Sequence, residues 1–88
     1  MTLENRVAIV TGAGKGLGRA FAVKLAQEGA KVLAVTRADI DGLKETIKII
    51  KENGGKAAWL KVDVTQPADV GAMAETAVSE FGGIDILI

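Results

Sequence analysis

The stretch TGAGKGLG, residues 11–18, decides the fold of this chain. Four of its eight residues are glycine, and it directly follows the apolar run VAIV at residues 7–10. Glycine permits positive φ angles and close approach by another group, but it weakens any regular element that contains it. A bare backbone between an apolar strand and a helix therefore predicts a site that a ligand or a neighbouring element approaches closely.

Composition limits the chemistry that this chain can perform. It has 88 residues, with neither cysteine nor histidine, and its eleven basic residues balance eleven acidic ones. We expect one small domain over residues 1–88, without disulfides, metal sites or histidine and cysteine catalysis. The balanced charge argues against nucleic acid and membrane surfaces as partners. Because there is no signal-peptide pattern and no apolar run of about 18 residues, we expect a soluble, cytoplasmic protein.

Strand-like and helix-like segments alternate along the chain. Apolar runs at residues 7–10, 32–35, 57–62 and 84–88 predict four strands, of which the first two are expected to be buried. Between them, apolar residues recur at helical spacing, and Thr65 is the expected cap of the third helix. The expected stripe of the first helix is Leu17, Ala20, Phe21 and Leu25, and that of the third is Val70, Ala74, Ala77, Val78 and Phe81. This order predicts an α/β fold with a parallel sheet and right-handed crossovers.

The glycine stretch is placed where such sheets bind ligands, beyond the carboxyl end of a strand. A helix start offers unpaired N–H groups and a positive dipole end to an anion. The spacing is Thr-Gly-x-x-x-Gly-x-Gly: a Walker loop needs Ser or Thr after Lys15, and Gly-x-Gly-x-x-Gly cannot be placed. We interpret Gly12, Gly16 and Gly18 as providing a tight turn, a close approach to pyrophosphate and close helix packing. A glycine-rich loop without a ligand is the alternative.

Three matches make the chain resemble the amino-terminal half of the short-chain dehydrogenase/reductase family. They are the glycine motif, Asp63-Val64 after the third strand, and GGIDILI leading into the fourth. The resemblance implies a three-layer Rossmann-type half domain with strand order 3-2-1-4. It also implies that Asp63 contacts the adenine amino group and that the Val64 backbone completes that pocket. The implied pyrophosphate-binding residues are Gly12, Gly14, Lys15, Gly16, Leu17 and Gly18.

The residues after the second strand bear on which dinucleotide binds. An acidic residue there would bind the ribose of NAD, but the position is held by Thr36, followed by Arg37. Arg37 could pair with the 2′-phosphate of NADP, and similar NADP-dependent relatives often carry a basic residue at the place of Lys15. We therefore expect NADP rather than NAD, although both cations could be ordinary surface residues. We expect Arg19 to be a solvated helix-face residue, with help to the anion site as the alternative. Asp39 could in principle bind the ribose, but it lies past the end of the second strand and we expect no such role.

The family's catalytic residues are a Ser and Tyr-x-x-x-Lys, with Asn-Asn-Ala-Gly after the fourth strand. The 88 residues contain no tyrosine, so we predict no catalytic residue among them. Three interpretations stay open. The chain could be an NADP-binding half domain, a truncated record of an NADP-dependent oxidoreductase acting on carbonyls or alcohols, or a scaffold with no useful binding.

The expected sheet leaves one face and one edge uncovered. With two helices on one face and one on the other, one face is half bare and the fourth strand is an open apolar edge. Such edges pair with other chains. We expect a homo-oligomer, most simply a twofold dimer through the fourth strands or the bare sheet face.

Overall fold

In the computed structural model, which describes residues 3–88, strands and helices alternate throughout these residues. The elements are β1 (Val7–Thr11), α1 (Gly16–Gln27), β2 (Lys31–Thr36), α2 (Ile40–Glu52), β3 (Lys56–Lys61), α3 (Pro67–Phe81) and β4 (Ile86–Leu87). The predicted order of element types is confirmed. No helix within residues 3–88 is both long and apolar enough to span a membrane.

The four strands form one parallel sheet in the order β3-β2-β1-β4. This is the predicted Rossmann-type order, with all three carboxyl ends of β1, β2 and β3 at one edge. The fourth strand is shorter than the predicted residues 84–88, because only Ile86 and Leu87 take ladder positions. Backbone bonds from Asp85 N–H to Val7 O and from Ile88 N–H to Ile9 O flank those positions.

Helices cover the sheet on both faces, two on one side and one on the other. The α1 and α2 side includes Ala8, Val10, Val32 and Ala34 of the sheet, together with Ala22, Leu43 and Ile50. The α3 side includes Val7, Ile9, Leu33 and Val35, packed against Met73 and Ala77. Because successive strand residues point to opposite faces, each apolar strand supplies both layers. The three-layer arrangement predicted from the sequence is confirmed.

The predicted apolar stripes of α1 and α3 are wrong in part. In α1 the buried side chains are Ala22 and Ala26, whereas Leu17 and Phe21 are 71% and 42% exposed. Small side chains let α1 approach the sheet closely, and the larger apolar ones lie on its flank. In α3, Met73 and Ala77 are buried, but Val70 and Val78 are exposed. The flanks of both helices therefore present apolar surface.

The predicted cap of the third helix is also wrong. The N-cap of α3 is Gln66, and Pro67 begins the helix. Thr65 instead donates its N–H and its hydroxyl to the Oδ1 of Asp63. The Asp63 carboxylate, two residues earlier, thus holds Thr65 in a local turn of the kind that Asp favours.

Candidate functional site

A groove of about 380 Å³ lies at the carboxyl ends of β1, β2 and β3. It brings together five of the predicted site residues, namely Gly12, Thr36, Arg37, Asp63 and Val64. The remaining five lie in the loop after Gly12 and in the first turn of α1. Open parallel sheets bind ligands at this edge, so the topology places the predicted residues where a ligand would lie.

The glycines of the loop have distinct geometric roles. Gly12 and Gly16 have φ angles of +62° and +57°, in the left-handed region that favours glycine. A Cβ on Gly18 would overlap the carbonyl oxygen of Gly12 and lie 2.7 Å from its carbonyl carbon. These neighbours are backbone atoms and cannot rotate away. The close packing predicted for Gly18 is therefore present.

The start of α1 has no acceptor of its own. Its N-cap is Lys15, whose side chain forms no capping hydrogen bond, and its first turn carries no acidic residue. The N–H groups of the first turn lack partners within the helix, and the dipole places partial positive charge there. Lys15 itself is exposed. An anionic group is the ligand that suits this end of the helix.

Asp63 is held in a fixed position at the groove by its own loop. Its Oδ1 accepts from the N–H of Thr65 at 2.9 Å and from the Thr65 hydroxyl at 2.6 Å, while its N–H donates to Asp69. The two Thr65 bonds, with a smaller contribution from Arg37, lower the pKa of Asp63 below its ordinary 3.8. Within residues 3–88 its Oδ2 accepts no hydrogen bond. A fixed, ionised carboxylate with one open oxygen suits an amino-group donor.

We expect Thr65→Val to raise the pKa of Asp63 toward 3.8, because the hydroxyl bond is the largest cause of the lowering. A carboxyl whose pKa is lower in the folded state stabilises the fold above its unfolded pKa, and this stabilisation disappears as pH falls through the folded pKa. Carbon-13 NMR titration of the carboxyl measures the shift. Thr76→Val, which removes only a bond to Ala72 within α3, is the control. An unchanged pKa in Thr65→Val would contradict the assignment.

The end of β2 carries the residues expected to select the dinucleotide. The carbonyl of Thr36 accepts from Val62 N–H at 2.9 Å, which fixes the backbone beside the groove. Arg37 is exposed and lies close enough to Asp63 to lower its pKa. No acidic side chain takes the place of Thr36. The guanidinium of Arg37 is available to an anionic group entering the groove.

A polar network that the sequence did not reveal joins the glycine loop to α2. Arg19 Nη2 donates to the carbonyls of Gly14 at 2.6 Å and Gly42 at 3.1 Å, and its Nε donates to the Thr46 hydroxyl at 3.0 Å. That hydroxyl, which is fully buried, donates to Ala13 O at 2.7 Å. The prediction that Arg19 is a solvated helix-face residue is wrong. Its side chain is tied to both elements.

Gly42 makes this contact possible. A Cβ at Gly42 would overlap the carbonyl oxygen of Gly14 and the carboxylate of Asp39. Asp39 is the N-cap of α2 and accepts from Gly42 N–H at 3.0 Å, so it has a structural role that was not predicted from the sequence. A glycine within a helical segment indicates close packing at that position. Gly42 was the signal in the sequence from which the contact between α2 and the loop could have been inferred.

Asp85 also has a structural role. Its Oδ2 accepts from Val7 N–H at 2.9 Å, and Oδ1 lies 3.5 Å from Arg6 Nη1. These contacts fasten the start of β4 to β1. Within residues 3–88 no three acidic residues are grouped so that they could hold a metal ion.

Comparison with known proteins identifies the family. The family model described as short chain dehydrogenase matches residues 6–88. The chain belongs to the short-chain dehydrogenase family. Glucose 1-dehydrogenase 2 of Bacillus subtilis is 38% identical over 86 residues, which cover 98% of this chain and 33% of that protein. Tetrahydroxynaphthalene reductase of Pyricularia oryzae is 41% identical over 86 residues, covering 98% of this chain and 30% of the relative.

Solved structures of the family have the same fold. A short-chain dehydrogenase/reductase from Serratia marcescens superposes with a TM-score of 0.94 at 34% identity, covering 99% of this chain and 36% of that one. A hydroxysteroid dehydrogenase from Escherichia coli gives a TM-score of 0.91 at 34% identity, with 97% and 36% covered. The chain thus spans about a third of the length of these relatives, in their amino-terminal part. The family binds NAD(P) nucleotides.

Proposed function

We propose that these 88 residues bind a dinucleotide cofactor across the glycine loop and the adjacent groove. One observation carries the proposal: the α1 start, which has no internal acceptor, lies at the same sheet edge as the ionised carboxylate of Asp63. The pyrophosphate would lie against the loop from Gly12 to Gly18. The adenine amino group would donate to Asp63 Oδ2, with the Val64 backbone completing the pocket.

We further propose that NADP binds more tightly than NAD. The exposed guanidinium of Arg37 borders the groove, Lys15 is the N-cap of α1, and the side chain of Thr36 carries no carboxylate that would repel a 2′-phosphate. A hydrogen bond to a charged group contributes about 1.5–3 kcal/mol. One or two such bonds to the 2′-phosphate, at about 1.5–2 kcal/mol each for exposed side chains, correspond to a preference of about ten- to a thousandfold.

The parent activity we propose is NADP-dependent oxidation of alcohols or reduction of carbonyls. The relatives include a glucose dehydrogenase, a hydroxysteroid dehydrogenase and a tetrahydroxynaphthalene reductase, so their names do not narrow the substrate further. Because the 88 residues contain no tyrosine, we propose that they bind the cofactor without transferring hydride. A scaffold that keeps the sheet but binds nothing is the competing proposal.

We also propose that the uncovered apolar surface pairs with a second copy of the chain. Leu87 of the edge strand is 62% exposed, and Val78 on the flank of α3 is 56% exposed. Apolar strand edges and patches of this kind favour association. A twofold dimer through β4 or through the half-covered sheet face would bury them.

Titration with NADPH and NADH tests the proposal, after light scattering has given the mass of the species at tens of micromolar. Nucleotide fluorescence and energy transfer from Trp59 report binding. We expect tighter binding of NADPH, and loss of binding in Gly16→Val, since Gly16 has φ +57° and begins α1. Absence of binding by either nucleotide with the fold intact would favour the scaffold. A mass of one chain would contradict the dimer.

A further inference from the structure

The carbonyl groups of the glycine loop are held from one side by two side chains. The Ala13 carbonyl accepts from the buried Thr46 hydroxyl at 2.7 Å, and the Gly14 carbonyl accepts from Arg19 Nη2 at 2.6 Å. Both contacts lie on the α2 side of the loop. The same guanidinium also donates to Gly42 O and to Thr46, so one side chain ties the loop to the first turns of α2.

Because the peptide unit is planar, the direction of each of these carbonyls fixes the direction of the N–H that follows it. In a planar trans peptide, the C=O and the N–H of the following residue point in opposite directions. Carbonyls of Ala13 and Gly14 that point toward α2 therefore turn the N–H groups of Gly14 and Lys15 away from it. Neither N–H donates a hydrogen bond within residues 3–88. Both donors are therefore unpaired, and although Gly14 is buried, Lys15 is exposed and accessible to a ligand.

We propose that Arg19 and Thr46 form a clamp that orients the Gly14 and Lys15 amides toward the anionic part of the cofactor. Arg19 and Thr46 are then positioning residues, because they act through the loop backbone and not by touching the ligand. The proposal rests on the cofactor-binding function proposed above. Fixed donors bind an anion without the entropic cost of ordering a loop that contains four glycines in eight residues.

An alternative role for Arg19 is direct attraction of the phosphates by its positive charge. Geometry favours the clamp, because the Nη2 and Nε donors are directed at Gly14, Gly42 and Thr46. A guanidinium can serve three acceptors in a fixed plane, whereas a lysine ammonium on a flexible stem cannot reproduce that arrangement. Arg19→Lys therefore distinguishes the two roles, since it keeps the positive charge but loses the planar set of guanidinium donors.

The first measurement is the nitrogen-15 order parameter of the Gly14 and Lys15 N–H vectors in the free chain. We expect about 0.85 in the natural chain, and below about 0.6 in both Arg19→Met and Arg19→Lys, with Leu33 in β2 unchanged. Thr46→Val should act in the same way, whereas Thr46→Ser keeps the hydroxyl and should not. Mobile amides in the natural chain would overturn the clamp without any variant.

The second measurement is the dissociation constant of NADPH as a function of salt. We expect Arg19→Met and Arg19→Lys to weaken binding about tenfold while the salt dependence stays that of the natural chain. Lys48→Met, at an exposed position outside the groove, controls for the lost charge. Natural affinity in Arg19→Lys, with rigid amides, would assign Arg19 to charge attraction. If the natural chain binds no NADPH, the proposed function fails, and the order parameters alone still decide the clamp.

Discussion

Gly18→Ala is expected to lower the free energy of unfolding by about 1–2 kcal/mol or more, although alanine is ordinarily the better helix former. An alanine Cβ in a helix interior gains about 1 kcal/mol over glycine when space is free. At Gly18 the new atom overlaps the Gly12 carbonyl oxygen and lies 3.2 Å from Ala13 Cα. Overpacking against backbone costs about 1–3 kcal/mol and occasionally more, so the clash outweighs the propensity.

The matched control is Gly71→Ala, which makes the same change in the interior of α3. A Cβ at Gly71 meets nothing within 4 Å, so propensity alone operates and stability should rise by about 0.5–1 kcal/mol. Urea or thermal unfolding gives both values. In a domain of this size, 1 kcal/mol shifts Tm by about 4–8 °C. Equal gains at both positions would show that α1 does not pack on the loop as closely as described.

Gly18→Ala should also weaken NADPH binding, by about 100-fold or more. The clash is relieved only if the loop and the start of α1 move apart, which displaces the N–H groups proposed to face the pyrophosphate. Loss of one or two hydrogen bonds to a charged group corresponds to this magnitude. Binding is measured below the temperature at which the variant begins to unfold. Unchanged affinity for NADPH in the folded variant would show that the glycine loop is not part of the cofactor site.

Sequence patterns predict features that depend on neighbouring residues better than features that depend on residues far apart in the chain. Element types and the sheet edge that holds the groove follow from short apolar runs and from glycine spacing, because each run has enough β-branched or helical character to fix its own element. The strand order, by contrast, was implied by the resemblance to the family. The hydrogen bond from Arg19 to the carbonyl of Gly42 could not be predicted. It joins residues 23 positions apart, and it exists only because α2 begins close to the loop.

The wrong helix faces have a different cause. Helical spacing identifies apolar residues on α1, but it does not say how closely the helix approaches the sheet. Buried Ala22 and Ala26 show that the approach is close, which leaves Leu17 and Phe21 on the flank. Thr65 was misassigned as a cap because Pro67 takes the first helical position, which makes Gln66 the N-cap. The Thr65 hydroxyl donates to Asp63 instead of accepting from the helix.

The double variant Thr36→Asp/Arg37→Ala is expected to reverse the cofactor preference, shifting the NADPH-to-NADH affinity ratio by about 100- to 1,000-fold. Removing Arg37 removes a charge-assisted bond proposed for the 2′-phosphate. The new carboxylate at the end of β2 repels that phosphate and accepts from the ribose hydroxyls of NADH. Each change contributes about 1.5–2 kcal/mol, and their sum gives this shift.

The two substitutions should leave the fold intact. The Thr36 carbonyl bond to Val62 is made by backbone, and Arg37 is exposed, so neither change removes a packed side chain. Loss of Arg37 should slightly raise the pKa of Asp63, because its charge is one of the causes that lower it. Asp63 stays ionised at neutral pH, so the contact that we propose between Asp63 and adenine should not change, and the shift in affinity ratio should come from the ribose end of the site.

The control must match charge, because NADPH is more negative than NADH and any added negative charge disfavours it. Lys48→Glu changes the net charge by the same two units as the double variant, at an exposed position outside the groove. Long-range attraction is screened over about 10 Å at 0.1 M salt, so this control should move the ratio far less. An equal shift in both proteins would attribute the preference to net charge and not to the end of β2. A preference for NADPH that survives the double variant would place phosphate recognition at Lys15 instead.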